Sequence, residues 1–121
     1  MFKVEAEKNK NLLRIVFSKG VEPDEARLYL ETVKARVAEL QPGFRLLTDL
    51  SGLESMHAGC APQLERAMDV INQAGVAKVV RVIPDPHKDI GLNIMSLFHY
   101  RRRIQFATCE TLAEAEKIVA E

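Results

Sequence analysis

Short segments that alternate between two hydrophobic periods run along the chain, and this alternation constrains the fold most. An apolar period of about two residues indicates a strand, and a period of about 3.6 indicates an amphipathic helix. Apolar and charged residues alternate in 2–7, whereas 12–17 is mostly apolar. Because the polar turn at 8–11 separates these segments, we predict that they pair as a hairpin, which Gly20 ends.

Four segments carry an apolar stripe at helical spacing: about 23–40, 64–74, 89–101 and 112–119. Pro23 is typical of a first helical position, and Pro42-Gly43 ends the first of these helices. Gly75 supplies a stop for the second. Thr111 and Glu114 form a T-x-x-E capping box at the start of the last.

Three further apolar runs, at 44–48, 76–83 and 104–106, lie between the predicted helices. The run at 44–48 is typical of a strand buried on both faces. The predicted order is therefore β-β-α-β-α-β-α-β-α. Because strands joined through helices run parallel with right-handed crossovers, we expect one α/β domain over 1–121, with a five-stranded, mostly parallel sheet and four helices.

Composition excludes several classes of function. The chain has 17 basic and 17 acidic residues, so it lacks the positive charge typical of nucleic-acid binding. No apolar run approaches the roughly 20 residues that span a membrane, and the first residues do not form a signal peptide. Cys60 and Cys109 lie far apart without a disulfide pattern, which favours a reducing compartment. We predict a cytoplasmic protein without a membrane span.

Residues 49–60 read DLSGLESMHAGC, directly after a buried strand and directly before a helix. This segment resembles the signature of SpoIIAA-like, or STAS, domains, which include anti-sigma factor antagonists and sulphate-transporter tails. In those domains the strand ends in Asp-Leu-Ser-Gly-Val, which 49–53 match closely, and the next helix opens with Asp-Ser-x-Gly. The resemblance extends to the order of elements, and it implies a SpoIIAA-like fold and a non-catalytic, regulatory role in binding a protein.

The second half of the signature departs from the family pattern. His57 stands where the family has Asp, Ala58 where it has the phosphorylatable Ser, and Gly59 and Cys60 replace the remaining Ser and Gly. Family members switch partners when that hydroxyl gains a phosphate. Because Ala58 has no hydroxyl, we expect a divergent member that lacks this phospho-switch and that a sigma-factor kinase does not phosphorylate at position 58.

The predicted binding loop consists of Asp49, Ser51, Ser55, His57, Ala58, Gly59 and Cys60. Whether Ser51 or Ser55 is modified stays open. An alternative function is the binding or sensing of a small metabolite, lipid or anion, because ligands of parallel α/β sheets bind at the carboxyl ends of the strands. A deep pocket at this loop would favour a ligand, and a flat surface would favour a protein.

Four side chains near strand ends invite a catalytic or metal hypothesis: His57, Cys60, His87 and Cys109. They could form a tetrahedral zinc site in principle, but structural zinc sites usually carry two closely spaced pairs, and this chain has one. Cys60 at a helix start could be a nucleophile with His57 as its base. Chance Cys and His neighbours are common, however, so we predict no metal, no cofactor and no catalytic residue.

The predicted helix at 89–101 has a second apolar line, formed by Leu92 and Met95 and continued by His99. A second apolar side indicates burial against another chain, either a protein partner or a second copy in a homodimer. The alternative is that Leu92 and Met95 are isolated exposed residues, which proteins tolerate. Arg101-Arg102-Arg103 is interpreted as a favourable helix end rather than a nucleic-acid site.

Overall fold

The computed structural model describes residues 1–83 and 104–121. These residues form a five-stranded sheet of β1 (Phe2–Glu7), β2 (Leu12–Val21), β3 (Arg45–Met56), β4 (Lys78–Val82) and β5 (Gln105–Cys109). The strands lie across the sheet in chain order. β1 is antiparallel to β2, and every other neighbouring pair is parallel. The predicted hairpin and the mostly parallel sheet are therefore confirmed.

Three helices are described: α1 (Pro23–Val37), α2 (Ala61–Gln73) and α3 (Leu112–Ala120). Two short 3-10 turns are also described, at Lys8–Lys10 and at Ala58–Cys60. The predicted helix at 89–101 lies outside the described residues, as do His87, Leu92, Met95, His99 and the three arginines at 101–103. Their interpretation stays a prediction. None of the described helices is long and apolar enough to cross a membrane.

The sheet separates two hydrophobic cores. Consecutive side chains of a strand point to opposite faces, so Leu46 joins the core under α1 and α2, while Leu47 joins the core under α3. Both side chains are fully buried. The apolar run at 44–48 thus reflects burial on both faces, as predicted. A right-handed crossover from β2 through α1 to β3, repeated through α2 to β4, explains why α1 and α2 share one face.

Two predicted strand ends were wrong. β2 continues through Gly20 to Val21, and β3 continues past Asp49 to Met56. The extra residues pair with each other, with register shifts after Val16 and after Lys19. Because each of these strands satisfies the backbone groups of the other, Gly20 does not end the ladder, and the bulges let the pair bend away from the regular sheet.

Candidate functional site

Residues 49–60, here called the signature segment, project beyond the centre of the sheet. β3 pairs with β4 only from Arg45 to Asp49, where Asp49 lies opposite Val82. Its remaining residues pair with the end of β2, up to Val21 opposite Met56. The segment is therefore an extended strand followed by a short turn, rather than the loop expected from its sequence.

Apolar anchors hold the signature segment against the core under α1 and α2. The anchors are Leu50, Leu53, Met56 and Cys60, and none exposes more than 7% of its surface. The residues between them are exposed: Ser51, Gly52, Glu54, Ser55, His57, Ala58 and Gly59. The segment thus presents small and polar groups to solvent from a backbone that is fixed by buried neighbours.

Asp49 braces the start of the segment. Its residue surface is 8% exposed, and its Oδ1 accepts hydrogen bonds from the Ser51 backbone N–H at 2.9 Å and from the Ser51 hydroxyl at 2.6 Å. Hydrogen bonds to a charged acceptor are stronger than neutral ones. Asp49, predicted as a binding residue, therefore lies inward and positions Ser51, which is the exposed member of the pair.

His57 organises the turn that leads into α2. Its backbone N–H donates to the Val21 carbonyl at 3.0 Å, and its own carbonyl accepts from the Cys60 N–H at 3.0 Å. The imidazole Nδ1 accepts from the Gly59 backbone N–H at 2.9 Å. Because the segment's turn is tied to Val21, the end of β2 belongs to the site. No local sequence pattern links 19–21 to 57–60, so the end of β2 could not be predicted as part of the site.

Gly59 lies where a larger residue would be crowded. A Cβ at this position would come within 3.0 Å of His57 Nδ1 and within 3.1 Å of Pro23 Cγ. Both distances are tighter than side chains usually tolerate, and the proline ring at the start of α1 is rigid. Gly59 therefore lets the imidazole lie over the turn and lets the turn pack on α1.

Cys60 lies in the core and not on the surface of the segment. Its surface is fully buried, and its Sγ lies 3.5 Å from the Val21 carbonyl oxygen. Burial, followed by the negative charges of Glu22 and Glu25, raises the pKa of the thiol above its usual value of 9.0. A nucleophilic cysteine needs a lowered pKa, so the geometry disfavours the hypothesis of a Cys60 nucleophile.

The two cysteines also cannot share a zinc ion as the sequence hypothesis required. Cys60 belongs to the core under α1 and α2, whereas Cys109 belongs to the core under α3, on the other face of the sheet. Over residues 1–83 and 104–121, no three His, Cys, Asp or Glu side chains are grouped closely enough to hold a metal ion.

Three surface depressions are formed by described residues, and none is lined by the signature segment. The first, of about 610 Å³, lies between α1 and α2 and includes Lys34 and Arg66. The second, of about 340 Å³, lies where α3 meets the starts of β2 and β3, and the third lies beside β1.

Solved structures of other proteins have the same arrangement of strands and helices. No protein-family profile and no curated protein sequence matches the chain, but solved structures do. The anti-sigma factor antagonist SpoIIAA in its unphosphorylated form superimposes with a TM-score of 0.66 at 12% sequence identity, covering 98% of this chain and 97% of that chain. The chain has a SpoIIAA-like fold.

Two further SpoIIAA-like structures agree over almost the whole chain. A DUF3478 family protein with a SpoIIAA-like fold from Shewanella loihica PV-4 gives a TM-score of 0.69 at 11% identity, covering 98% of this chain and 93% of that one. An anti-sigma factor antagonist from Mycobacterium paratuberculosis gives 0.59 at 16% identity, covering 100% and 96%. These similarities establish the SpoIIAA-like fold, as the resemblance of residues 49–60 implied.

Proposed function

We propose that this chain is one non-catalytic SpoIIAA-like domain that acts in the cytoplasm as a protein-interaction or regulatory module. Its binding surface is the exposed part of the signature segment, from Ser51 to Gly59. The observation that carries the proposal is the alternation of buried anchors and exposed small or polar residues. A surface fixed before binding loses little conformational entropy when a partner docks.

The exposure of this surface supports a protein partner over a small ligand. Small ligands bind in concave, mostly apolar pockets that bury most of their surface. The depressions described above lie elsewhere on the molecule, whereas the signature segment presents exposed small and polar residues. Similarity to anti-sigma factor antagonists supports the same choice, and the alternative function as a ligand sensor has no comparable observation in its favour.

Partner binding is proposed to proceed without phosphorylation of position 58. Ala58 is exposed next to the turn that begins α2, and its methyl group offers no acceptor for a phosphoryl group. Incubation with an anti-sigma kinase and labelled ATP should leave the native chain unlabelled, and Ala58→Ser should gain label at that residue. Label at Ser51 or Ser55 of the native chain would contradict the proposal.

The binding surface is tested by one substitution that adds both charge and bulk, together with a matched control on another surface. Affinity capture from a lysate of the source cells identifies the partner, and titration with the purified partner gives the dissociation constant. Ala58→Arg should weaken that complex by about 100-fold or more, because it puts a bulky charge at the centre of the surface. Ala35→Arg makes the same change on the exposed side of α1 and should leave the affinity unchanged.

Equal affinity for the native chain and Ala58→Arg would place the interface elsewhere and refute the proposed surface. Thermal unfolding of both arginine variants verifies that each is folded. If a small molecule rather than a protein is retained, and Ala58→Arg displaces it, the ligand-sensing alternative replaces the present proposal.

Thiol reactivity tests the non-catalytic part of the proposal. Burial raises the pKa of the Cys60 thiol and removes its surface from solvent, and both effects slow alkylation because the thiolate is the nucleophile. Iodoacetamide at pH 7 should therefore label Cys60 more slowly in the folded chain than in denaturant. Cys109, whose pKa burial also raises, is the internal control. Rapid, selective labelling of folded Cys60 would revive the nucleophile hypothesis.

A further inference from the structure

The cap of the turn before α2 is an imidazole, and this choice has a chemical consequence. The Gly59 backbone N–H can only donate, so the His57 Nδ1 that accepts from it at 2.9 Å carries a lone pair. The ring is therefore neutral, with its proton on Nε2. A protonated ring has N–H groups at both nitrogens and cannot accept this hydrogen bond.

We propose that protonation of His57 releases the cap on Gly59 and rearranges the turn at Ala58–Cys60, which makes the signature segment sensitive to pH. That the rearrangement alters partner binding rests on the proposed function. That the turn changes with protonation does not.

Steric restraints around the ring make the two states distinct. The imidazole lies over Gly59 so closely that even a methyl group there would press on Nδ1 and on Pro23. A protonated ring in this place would direct its N–H at the Gly59 N–H, and two donors at 2.9 Å repel. His57 is exposed, so the ring can rotate into solvent, leaving the turn with the bond from the Cys60 N–H to the His57 carbonyl.

The charged neighbours come from each element packed against the turn. The start of α1 contributes Glu22 and Glu25, whose charges reach Cys60 beside the turn. β2 contributes Lys19, opposite Leu53 of β3, and β3 contributes Glu54. α2, which follows the turn directly, contributes Glu65 as its first charged residue. The Met1 α-ammonium group is a further charged neighbour, since it donates to the Gly20 carbonyl at 2.7 Å and pairs with Glu25 at 3.2 Å. A pH response of the turn therefore belongs to the imidazole only if it disappears in His57→Asn.

Nuclear magnetic resonance of the full chain tests the proposal without a partner. Between pH 8 and pH 5, the Gly59 amide signal should move with the same midpoint as the His57 ring signals. Its pH-corrected hydrogen exchange should accelerate about tenfold or more as the bond is lost. The backbone amide of Ala35 on α1 is the control, and its chemical shift and pH-corrected exchange rate should not follow the His57 ring signals.

Two variants distinguish the loss of the His57 cap from other effects of low pH on the chain. His57→Asn keeps an oxygen acceptor at the cap and cannot titrate, so its Gly59 amide should be independent of pH over this range. His57→Ala removes the acceptor, so its Gly59 amide should exchange rapidly at every pH. A ring that stays neutral down to pH 5 would overturn the proposal. So would a Gly59 amide that ignores ring protonation, or a response that persists in His57→Asn.

These outcomes are independent of the proposed function. A negative result removes the switch and leaves the binding surface intact, while failure of the Ala58→Arg test leaves the behaviour of the Gly59 amide intact. Once a partner is purified, affinity measured at pH 5.5 and pH 7.5 should change for the native chain by about threefold or more and stay constant for His57→Asn. Equal pH dependence of the two chains would refute the functional link.

Discussion

The two ends of the sheet use polar side chains in opposite ways. At the end where the strands begin, Arg45 Nη1 donates to the Val119 carbonyl at 2.6 Å, and Lys78 Nζ donates to the Ile118 carbonyl, across 74 and 40 residues of sequence. At the end where β3 finishes, Asp49 bonds Ser51 and His57 bonds Gly59, each two residues away.

The bonds at the first end stabilise the packing of α3, whereas those at the second end fix the conformation of the exposed signature segment. The last carbonyls of a helix lack partners within the helix and carry partial negative charge, so Arg45 and Lys78 fasten α3 to the starts of two strands. The side-chain hydrogen bonds of Asp49 and His57 lie within the signature segment, and the His57 backbone N–H joins the segment to β2. One end of the sheet fastens a helix to the strands, and the other fixes the segment that we propose for binding.

Removal of a buried anchor is expected to have the largest effect. Leu53 is fully buried in the core under α1 and α2, although it lies within the segment that we propose for binding. Leu53→Ala should lower the free energy of unfolding by about 2–5 kcal/mol, because it leaves a cavity. Urea unfolding monitored by circular dichroism measures the loss. A cost below about 1 kcal/mol would show that the segment is not anchored.

The sequence predicted the centre of the sheet well because its strands have a regular apolar pattern. The run at 44–48 indicated burial on both faces, and Gly75, which has a φ of +94°, indicated the end of α2. The signature segment has no such regularity. Leu50, Leu53 and Met56 recur every three residues, since register shifts between β2 and β3 break the strand period of two.

The burial of the candidate site's residues could not be predicted from the sequence. Resemblance to the family signature identified residues 49–60, yet Asp49 and Cys60 proved to be buried. Their burial depends on contacts that no local pattern encodes, above all the Val21 carbonyl, which lies 39 residues before Cys60. The cap by His57 likewise lies in a turn that packs close to Pro23 of α1, which is distant in sequence.

A smaller loss of unfolding free energy is expected when the ion pairs that join α3 to the β1–β2 hairpin are removed. The Arg14 guanidinium bonds Glu7 of β1 at 3.2 Å and Glu116 of α3, and its side chain is only 18% exposed. Arg14→Met should cost about 1–2 kcal/mol of unfolding free energy, a value reduced by the partial exposure of both carboxylates. Arg27→Met removes an exposed pair with Asp24 and should cost almost nothing.

The Arg14 contribution should also depend on pH. The hydrogen bond from Arg14 holds the pKa of Glu116 below its usual 4.5. A carboxylate with a lowered folded-state pKa stabilises the protein above its unfolded-state pKa, and this contribution fades as the pH falls through the lowered value. The stability difference between the native chain and Arg14→Met should therefore be constant above about pH 5.5 and shrink toward pH 3. A difference that does not vary with pH would contradict the tie to Glu116.

The smallest effect is expected for an exposed residue of the signature segment. Ser55 lies opposite Gly20 in the β2–β3 ladder, and its side chain faces solvent, so Ser55→Ala should change the unfolding free energy by less than about 0.5 kcal/mol. Asp49→Ala, in the same segment, should cost about 1–3 kcal/mol, because it leaves the Ser51 donors without their acceptor. Urea unfolding of the two variants thus distinguishes an inward brace from an outward group. If Ser55→Ala is as costly as Asp49→Ala, the exposed residues hold the fold together as the other end of the sheet does, and the contrast between the two ends is lost.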